Sequence, residues 1–154
     1  MFIPIEEAIK KGIPIVGQGK KSEFIVSSMT YIEAKNNSLQ ADYIKNLLNK
    51  SLKITDYTNR LKQLTITFVI YPEAWNGVNR KEQMYYDNEK TNLFLDLKIV
   101  NYSHFIAATK QEALSIMATE ILRGVAKFLS NVKDFKYELF YADLERLFKE
   151  HQLI

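Results

Sequence analysis

Two segments of the chain alternate apolar and polar residues in the manner of β-strands. Residues 64–71 carry Leu, Ile, Phe and Ile at alternate positions, and residues 93–102 begin with four Leu and Ile residues spaced by two. A two-residue period directs successive side chains to opposite faces of a sheet. Residues 64–71 are also β-branched or aromatic at almost every position, which favours a central strand with both faces at least partly covered.

Two further segments complete the predicted sheet. Residues 24–32 are rich in β-branched and aromatic residues, which predicts a strand. Residues 83–87 are predicted to form a short strand that pairs with the strand at 93–102 as a hairpin, because the Asn and Asp residues around 88–91 favour a turn. We therefore expect about four strands.

Three segments instead repeat apolar residues every three or four positions, which is typical of amphipathic helices. The first is predicted to be capped by Asn36-Asn37-Ser38 and to run to about Leu52. The residues predicted to form its buried stripe are Leu39, Tyr43, Leu47 and Leu48.

The second helix is predicted to begin with a capping box, in which Thr109 and Glu112 satisfy each other's backbone amides. The third is predicted from about Tyr137 to His151, with Asp134 as its cap. Its predicted buried residues are Phe140, Leu144, Leu147 and Phe148.

The order of these elements is strand, helix, three strands, helix, helix. Consecutive strands favour antiparallel pairing, and helices gathered after them favour packing on one face. We therefore predict an α+β fold, with an antiparallel sheet of about four strands and helices packed mainly on one face. Residues 1–154 are expected to form a single domain, in which residues 1–21 are an irregular N-terminal leader and residues 22–150 are the core.

Composition narrows the class of protein. The chain has 47% hydrophobic and 25% charged residues, as ordinary globular proteins do, and it contains no cysteine, which excludes disulfides and cysteine-ligated zinc. No segment reads as a signal peptide or a membrane span, so we expect a cytoplasmic protein with no membrane association. The net charge of +3 comes from scattered lysines, which argues against a nucleic-acid partner.

The sequence offers little catalytic chemistry. His104 and His151 are the only histidines and stand far apart in the chain, with no Gly-x-Ser-x-Gly motif to support a nucleophile. Gly17-Gln-Gly19-Lys20-Lys21 lacks the spacing and the flanking elements of a phosphate-binding loop. We therefore expect no catalytic residue, no metal site and no cofactor.

Aromatic residues are concentrated between residues 71 and 86, where they are interleaved with Asn, Arg and acidic residues. Tyr, Trp and Arg supply most of the binding energy at protein interfaces, although aromatic rings in a sheet also serve as core. Both interpretations remain open here. The candidate partner-binding residues are Glu73, Trp75, Asn76, Asn79, Arg80, Tyr85 and Tyr86.

The part of the chain that follows residue 92 carries a recognisable pattern. A strand with Asp, a basic residue and alternating hydrophobics runs into Tyr-x-x-Phe, and is followed by a capped Leu- and Ile-rich helix and a terminal Asp-Phe, Asp-Leu and Leu-Phe series. These features are Asp96, Lys98, Tyr102 and Phe105, then Leu114 to Leu129, then Asp134-Phe135, Asp143-Leu144 and Leu147-Phe148. The chain thereby resembles the immunity protein 44 family over about residues 24–150, with Lys98 where the pattern more often has Arg.

This resemblance implies a bacterial immunity protein that binds and neutralises a cognate polymorphic or contact-dependent toxin without catalysis. The expected partner is the toxin domain, and the expected oligomeric state is a monomer or weak homodimer. Two alternatives from other classes are a small α+β hydrolase that uses His104 and a homo-oligomeric scaffold that uses an exposed sheet edge.

Overall fold

The computed structural model describes residues 22–30, 37–70, 82–99, 105 and 108–154. Four strands lie within these residues: β1 (Phe24–Thr30), β2 (Gln63–Ile70), β3 (Gln83–Tyr86) and β4 (Asn92–Ile99). Three α-helices accompany them: α1 (Asn37–Ser51), α2 (Lys110–Phe128) and α3 (Tyr137–Glu150). Short 3-10 turns follow α1 at Ile54–Asp56 and α2 at Leu129–Asn131.

The sheet has the order β1-β2-β4-β3 and is mixed. β1 pairs with β2 in parallel, β2 pairs with β4 in parallel, and only β3 and β4 are antiparallel. The α+β class and the four strands are confirmed, whereas the prediction of an antiparallel sheet is wrong. The reason is the chain path: α1 carries the chain back between β1 and β2, and β4 inserts between β2 and β3 instead of adding outside β3.

One face of the sheet forms the floor of the hydrophobic core. Alternate strand residues point to this inner face and are almost fully buried: Phe24, Val26, Leu64, Ile66, Phe68, Ile70, Leu93, Leu95, Leu97 and Ile99. Helix residues reach the sheet from this side, since the Phe140 ring stacks on Phe24 at a centroid distance of 6.0 Å. The predicted packing of the helices mainly on one face is therefore confirmed.

The close approach of α2 to the sheet depends on Gly124. A Cβ atom placed there would lie 2.4 Å from Cδ2 of Leu97, so a larger residue would require the buried Leu97 side chain to shift. The capping box that opens this helix is present as predicted: the Thr109 hydroxyl accepts from the Glu112 amide, and the Glu112 carboxylate accepts from the Thr109 amide.

The two other helices differ in how well their sequence predicted them. The four residues predicted to be buried in α3 are all buried, but the helix begins at Tyr137 after Lys136, so Asp134 is not its cap. In α1 the stripe is rotated from the predicted one. Leu47 and Leu48 are buried as predicted, but Leu39 and Tyr43 are exposed. Gln40, Ala41 and Ile44 are buried in their place.

Candidate partner-binding surface

Tyr85 and Tyr86 are the two candidate binding residues that lie within the described part of the chain. Tyr85 points to the outer face of the sheet and is 42% exposed, with its ring stacked on Phe94 at a centroid distance of 4.9 Å and an angle of 7°. Tyr86 points to the inner face and is half-buried against the core, with the Arg60 guanidinium 5.9 Å from its ring centroid. The strand thus combines a core-packed tyrosine with an exposed one.

The other five candidates, Glu73, Trp75, Asn76, Asn79 and Arg80, lie outside the described residues.

The strand register places Tyr85 at the end of a row that crosses all four strands on the outer face. Ile25 lies beside Thr65, Thr65 beside Phe94, and Phe94 beside Tyr85. All four side chains are at least partly exposed. The row therefore forms a strip without formal charge, in which aliphatic, hydroxyl and aromatic side chains are each at least partly exposed.

A second row on the same face is more polar. It consists of Ser27, Thr67, Asp96 and Gln83, and the two hydroxyl oxygens lie 3.5 Å apart. Asp96 is only 5% exposed and accepts a 2.9 Å hydrogen bond from the Gln83 amide. The neighbouring amide satisfies one oxygen of this carboxylate, as a buried charge requires.

Glu82 fixes the start of β3 to the helical layer. Its carboxylate accepts hydrogen bonds from both terminal nitrogens of Arg123, from the Lys127 ammonium at 3.1 Å and from the Lys98 backbone amide at 2.9 Å. Burial opposes the charged form of Glu82, but these donors outweigh it and lower its pKa to about 2. Arg123 also binds Glu120 on its own helix, which holds the guanidinium in place.

Glu82, Arg123 and Phe94 were not among the residues predicted for the site. The i,i+3 spacing of Glu120 and Arg123 is visible in the sequence, but nothing local connects α2 with a residue forty-one positions earlier. The alternation of residues 93–102 did place Phe94 opposite the core-facing leucines. That Phe94 stacks on Tyr85 depends on the register of the β3–β4 hairpin, which the alternation does not give.

The described residues contain no group of three or more His, Asp or Glu side chains placed to hold a metal ion. His104 lies outside the described residues, and Nδ1 of His151 lies 3.0 Å from the Leu147 carbonyl oxygen at the end of α3. A shallow cleft of about 360 Å³ opens between residues 55–59 and 134–136. Its lining includes Asp56, Asp134 and Lys136 but no histidine or cysteine.

Comparison with known protein families decides the class of this protein. The family described as Immunity protein 44 matches residues 22–150, which is most of the chain. The chain belongs to the immunity protein 44 family. The match confirms the resemblance seen in the sequence. No curated protein and no solved structure shows significant similarity to the chain.

The family assignment agrees with the character of the described surface. A member of an immunity protein family is expected to meet another protein, and the outer face of this sheet is aromatic at one end and nearly uncharged. Among the outward-facing residues of the four described strands, Asp96 and Lys98 are the charged ones. No helix in the described part of the chain is long and apolar enough to cross a membrane.

Proposed function

We propose that this immunity protein 44 member binds a cognate bacterial toxin domain in the cytoplasm and neutralises it by tight association, without chemistry of its own. The toxin is of the polymorphic or contact-dependent kind, and the immunity protein meets it as a monomer or weak homodimer, with no nucleic acid involved. The observation that carries the proposal is the family match over residues 22–150.

The surface proposed for the toxin is the segment from Pro72 to Tyr86 together with the adjoining outer face of the sheet. Tyr85 supports this placement, because an exposed ring held by a stacking partner loses little entropy when a protein binds it. The strip of Ile25, Thr65 and Phe94 beside it would exclude water around such an anchor.

The charge of the protein bears on how the toxin would be blocked. Strongly acidic inhibitors can imitate nucleic acid in a cationic cleft, whereas this chain has a net charge of +3 and an outer face with one acid and one base. Shape and apolar contact are therefore expected to supply most of the affinity, while peripheral charges would govern partner choice and association rate.

The test measures binding of the toxin domain encoded by the neighbouring gene, by calorimetry, to four forms of the protein. Wild type is compared with Tyr85→Ala, with Trp75→Ala and with Tyr43→Ala. Tyr43 is the matched control, because it is 44% exposed, as Tyr85 is, but lies on α1 in the helical layer. An interface anchor of this kind contributes about 2 kcal/mol or more, so we expect Tyr85→Ala to weaken binding by roughly 30-fold or more and Tyr43→Ala to have little effect.

Two results would count against the proposal at different levels. If wild type fails to bind the toxin domain and fails to protect cells that express it, the toxin-neutralising function itself is wrong. If wild type binds tightly but neither Tyr85→Ala nor Trp75→Ala changes the affinity, the function stands and the binding surface lies elsewhere.

A further inference from the structure

The edge of β3 that faces away from β4 presents backbone hydrogen-bonding groups in a defined order. β3 is the outermost strand next to β4, and the Asp87 amide donates to the Asn92 carbonyl at 3.1 Å just beyond the paired residues. In an antiparallel ladder, hydrogen-bonded and non-hydrogen-bonded pairs alternate. Counting back from this pair, Tyr85 bonds to β4, while the N–H and C=O groups of Met84 and Tyr86 point away from it.

The opposite edge of the sheet is covered at its first residue. In β1 the corresponding outward-pointing groups begin at Phe24, and the side chain of Asn49 on α1 satisfies both of them. Its Oδ1 accepts from the Phe24 amide at 2.9 Å, and its Nδ2 donates to the Phe24 carbonyl at 2.7 Å. A side-chain amide here takes the place of a neighbouring strand, which is one way proteins blunt an edge.

No equivalent cover is described for β3. The β3–β4 ladder ends where the Glu82 carboxylate accepts a hydrogen bond from the Lys98 amide of β4. The Glu82 side chain therefore caps β4 and does not cover the outer edge of β3. Within the described residues, no group bonds to the outward-pointing amides or carbonyls of Met84 and Tyr86. The protein therefore blocks one edge of its sheet at Phe24 and offers two donors and two acceptors along the other.

The charges beside this edge favour a binding segment that carries an acidic residue. Arg60 is exposed, lies over the Tyr86 ring and takes part in no ion pair within the described part of the chain. Glu82 is already neutralised by Arg123 and Lys127, while Gln83 and Tyr85 are uncharged. A segment laid along β3 would thus meet Arg60 beside Tyr86, while the Asp87 carboxylate that follows is already bonded to the Thr91 and Asn92 amides. This arrangement suits a segment with an acidic residue beside Tyr86.

We infer that an extended segment of the toxin domain pairs with the free edge of β3 as a fifth strand, with a carboxylate of that segment beside Arg60. The inference rests on the proposed function, since it names how the toxin engages the same surface. Main-chain hydrogen bonds supply affinity in such strand addition, and alternate side chains supply selectivity. Side chains of the added strand on its outer face would continue the row that ends at Tyr85.

The test exploits the direction of the Met84 amide. A proline is tolerated on an edge strand where the N–H is not used by the ladder, so Met84→Pro should leave the pairing with β4 intact while removing one donor and blocking close approach of a strand. Met84→Ala is the matched control, because it removes the same partly buried side chain but keeps the amide. Circular dichroism and thermal unfolding of both variants establish that they are folded.

A second measurement needs no substitution in β3. Amide hydrogen exchange of the wild-type protein, followed by NMR with and without the toxin domain, reports directly on the Met84 and Tyr86 backbone groups. A surface bound only through side chains would not give these two amides the slow exchange of hydrogen-bonded ladder positions. The Arg60→Gln variant tests whether a carboxylate of the toxin segment lies beside Arg60.

We expect Met84→Pro to bind the toxin domain at least tenfold more weakly than Met84→Ala, and the amides of Met84 and Tyr86 to exchange at least tenfold more slowly in the complex. Arg60→Gln should weaken binding several-fold, and more so at low salt. Equal affinities of the two Met84 variants, together with unchanged exchange at both amides in a wild-type complex that does form, would overturn strand addition while leaving the proposed function in place. An unaltered affinity in Arg60→Gln would overturn the placement of a toxin carboxylate beside Arg60. Failure of wild type to form any complex would overturn the proposed function itself.

Discussion

The hydroxyl of Tyr57 donates a 2.7 Å hydrogen bond to the carboxylate of Asp143, eighty-six residues later in the chain. The tyrosine side chain is almost fully buried, and its ring meets the Phe140 ring edge-on with 4.8 Å between the two centroids. Helix α3 therefore contacts both the ring and the hydroxyl of Tyr57. Burial raises the pKa of the Tyr57 hydroxyl, and the bond to Asp143 raises it further. This contact fastens the turn after α1 to the last helix.

Replacing Tyr57 by Phe should therefore lower the free energy of unfolding by about 1 to 2 kcal/mol, because a buried hydrogen bond to a charged acceptor is lost while the ring stays. Urea denaturation at pH 7 measures the change. Tyr43→Phe is the control, since its hydroxyl belongs to an exposed side chain and its removal should cost only a few tenths of a kcal/mol. Equal stabilities of the two variants would show that the Asp143 contact contributes nothing net.

Acid should weaken the attachment of β3 to α2. The folded-state pKa of Glu82 is about 2, lowered from an ordinary value of 4.5, so its stabilising contribution is complete above about pH 5 and is lost as the pH falls through 4.5 towards 2. Because Arg123 is 40% and Lys127 53% exposed, solvent screening limits the contribution to about 1 to 2 kcal/mol.

The measurement is the unfolding free energy of wild type and Glu82→Gln at pH 6 and at pH 3. Wild type should lose more stability than the variant between these values, so that the gap between them narrows in acid. A constant gap would mean that the Glu82 charge is not responsible for its contribution.

Gly124→Ala should destabilise the protein even though alanine is the better helix former. The added methyl group would overlap the buried Leu97 side chain, and overpacking costs about 1 to 3 kcal/mol against a propensity gain of up to about 1 kcal/mol. The double variant Gly124→Ala/Leu97→Ala tests the cause. Its loss of stability should be smaller than the two single losses added together, whereas strict additivity would refute the clash.

Asn49 should matter for both stability and solubility. Asn49→Ala removes its bonds to the Phe24 amide and carbonyl and to the Lys45 carbonyl, so we expect a loss of about 2 kcal/mol in unfolding experiments. Uncovering part of the β1 edge should also promote self-association, which light scattering detects. Asn49→Asp keeps an acceptor for the Phe24 amide but removes the donors to the Phe24 and Lys45 carbonyls. Its loss of stability is therefore expected to lie between zero and that of Asn49→Ala. Monomeric, fully stable Asn49→Ala would contradict this role.

Local features of the fold were predictable because they depend on residues close together in the chain. The Thr109–Glu112 capping box spans one helical turn, and the β3–β4 hairpin is closed by a turn of four residues. The buried face of α3 follows from the spacing of Phe140, Leu144 and Leu147 alone.

Other features were not predictable because they depend on which elements meet. The stripe of α1 was placed on Leu39 and Tyr43, but the helix packs beside β1 through Ala41 and Ile44 and leaves those two larger residues exposed. Asp134 has a favourable residue type for a cap, yet it adopts a left-handed backbone conformation with φ of 59° before the helix starts. In both cases tertiary contacts outweighed a weak local preference.

The same division applies to the candidate surface. Its aromatic content, and the separation of Tyr85 from Tyr86 onto opposite faces, could be deduced from a two-residue period. The stacking of Tyr85 on Phe94, the anchoring of Glu82 by Arg123 and the contrast between the two sheet edges required the strand order.

The sequence by itself determined the α+β class, the family, the helix and strand segments and most of the buried residues, because hydrophobic periodicity and capping act over a few residues. The tertiary structure alone decided that β1, β2 and β4 run parallel and that β3 lies at the edge. It also decided that Asn49 covers one edge at Phe24, while the backbone groups of Met84 and Tyr86 point outward on the other. Strand order depends on the joint packing of elements distant in the chain, and a two-residue period is the same in parallel and antiparallel strands.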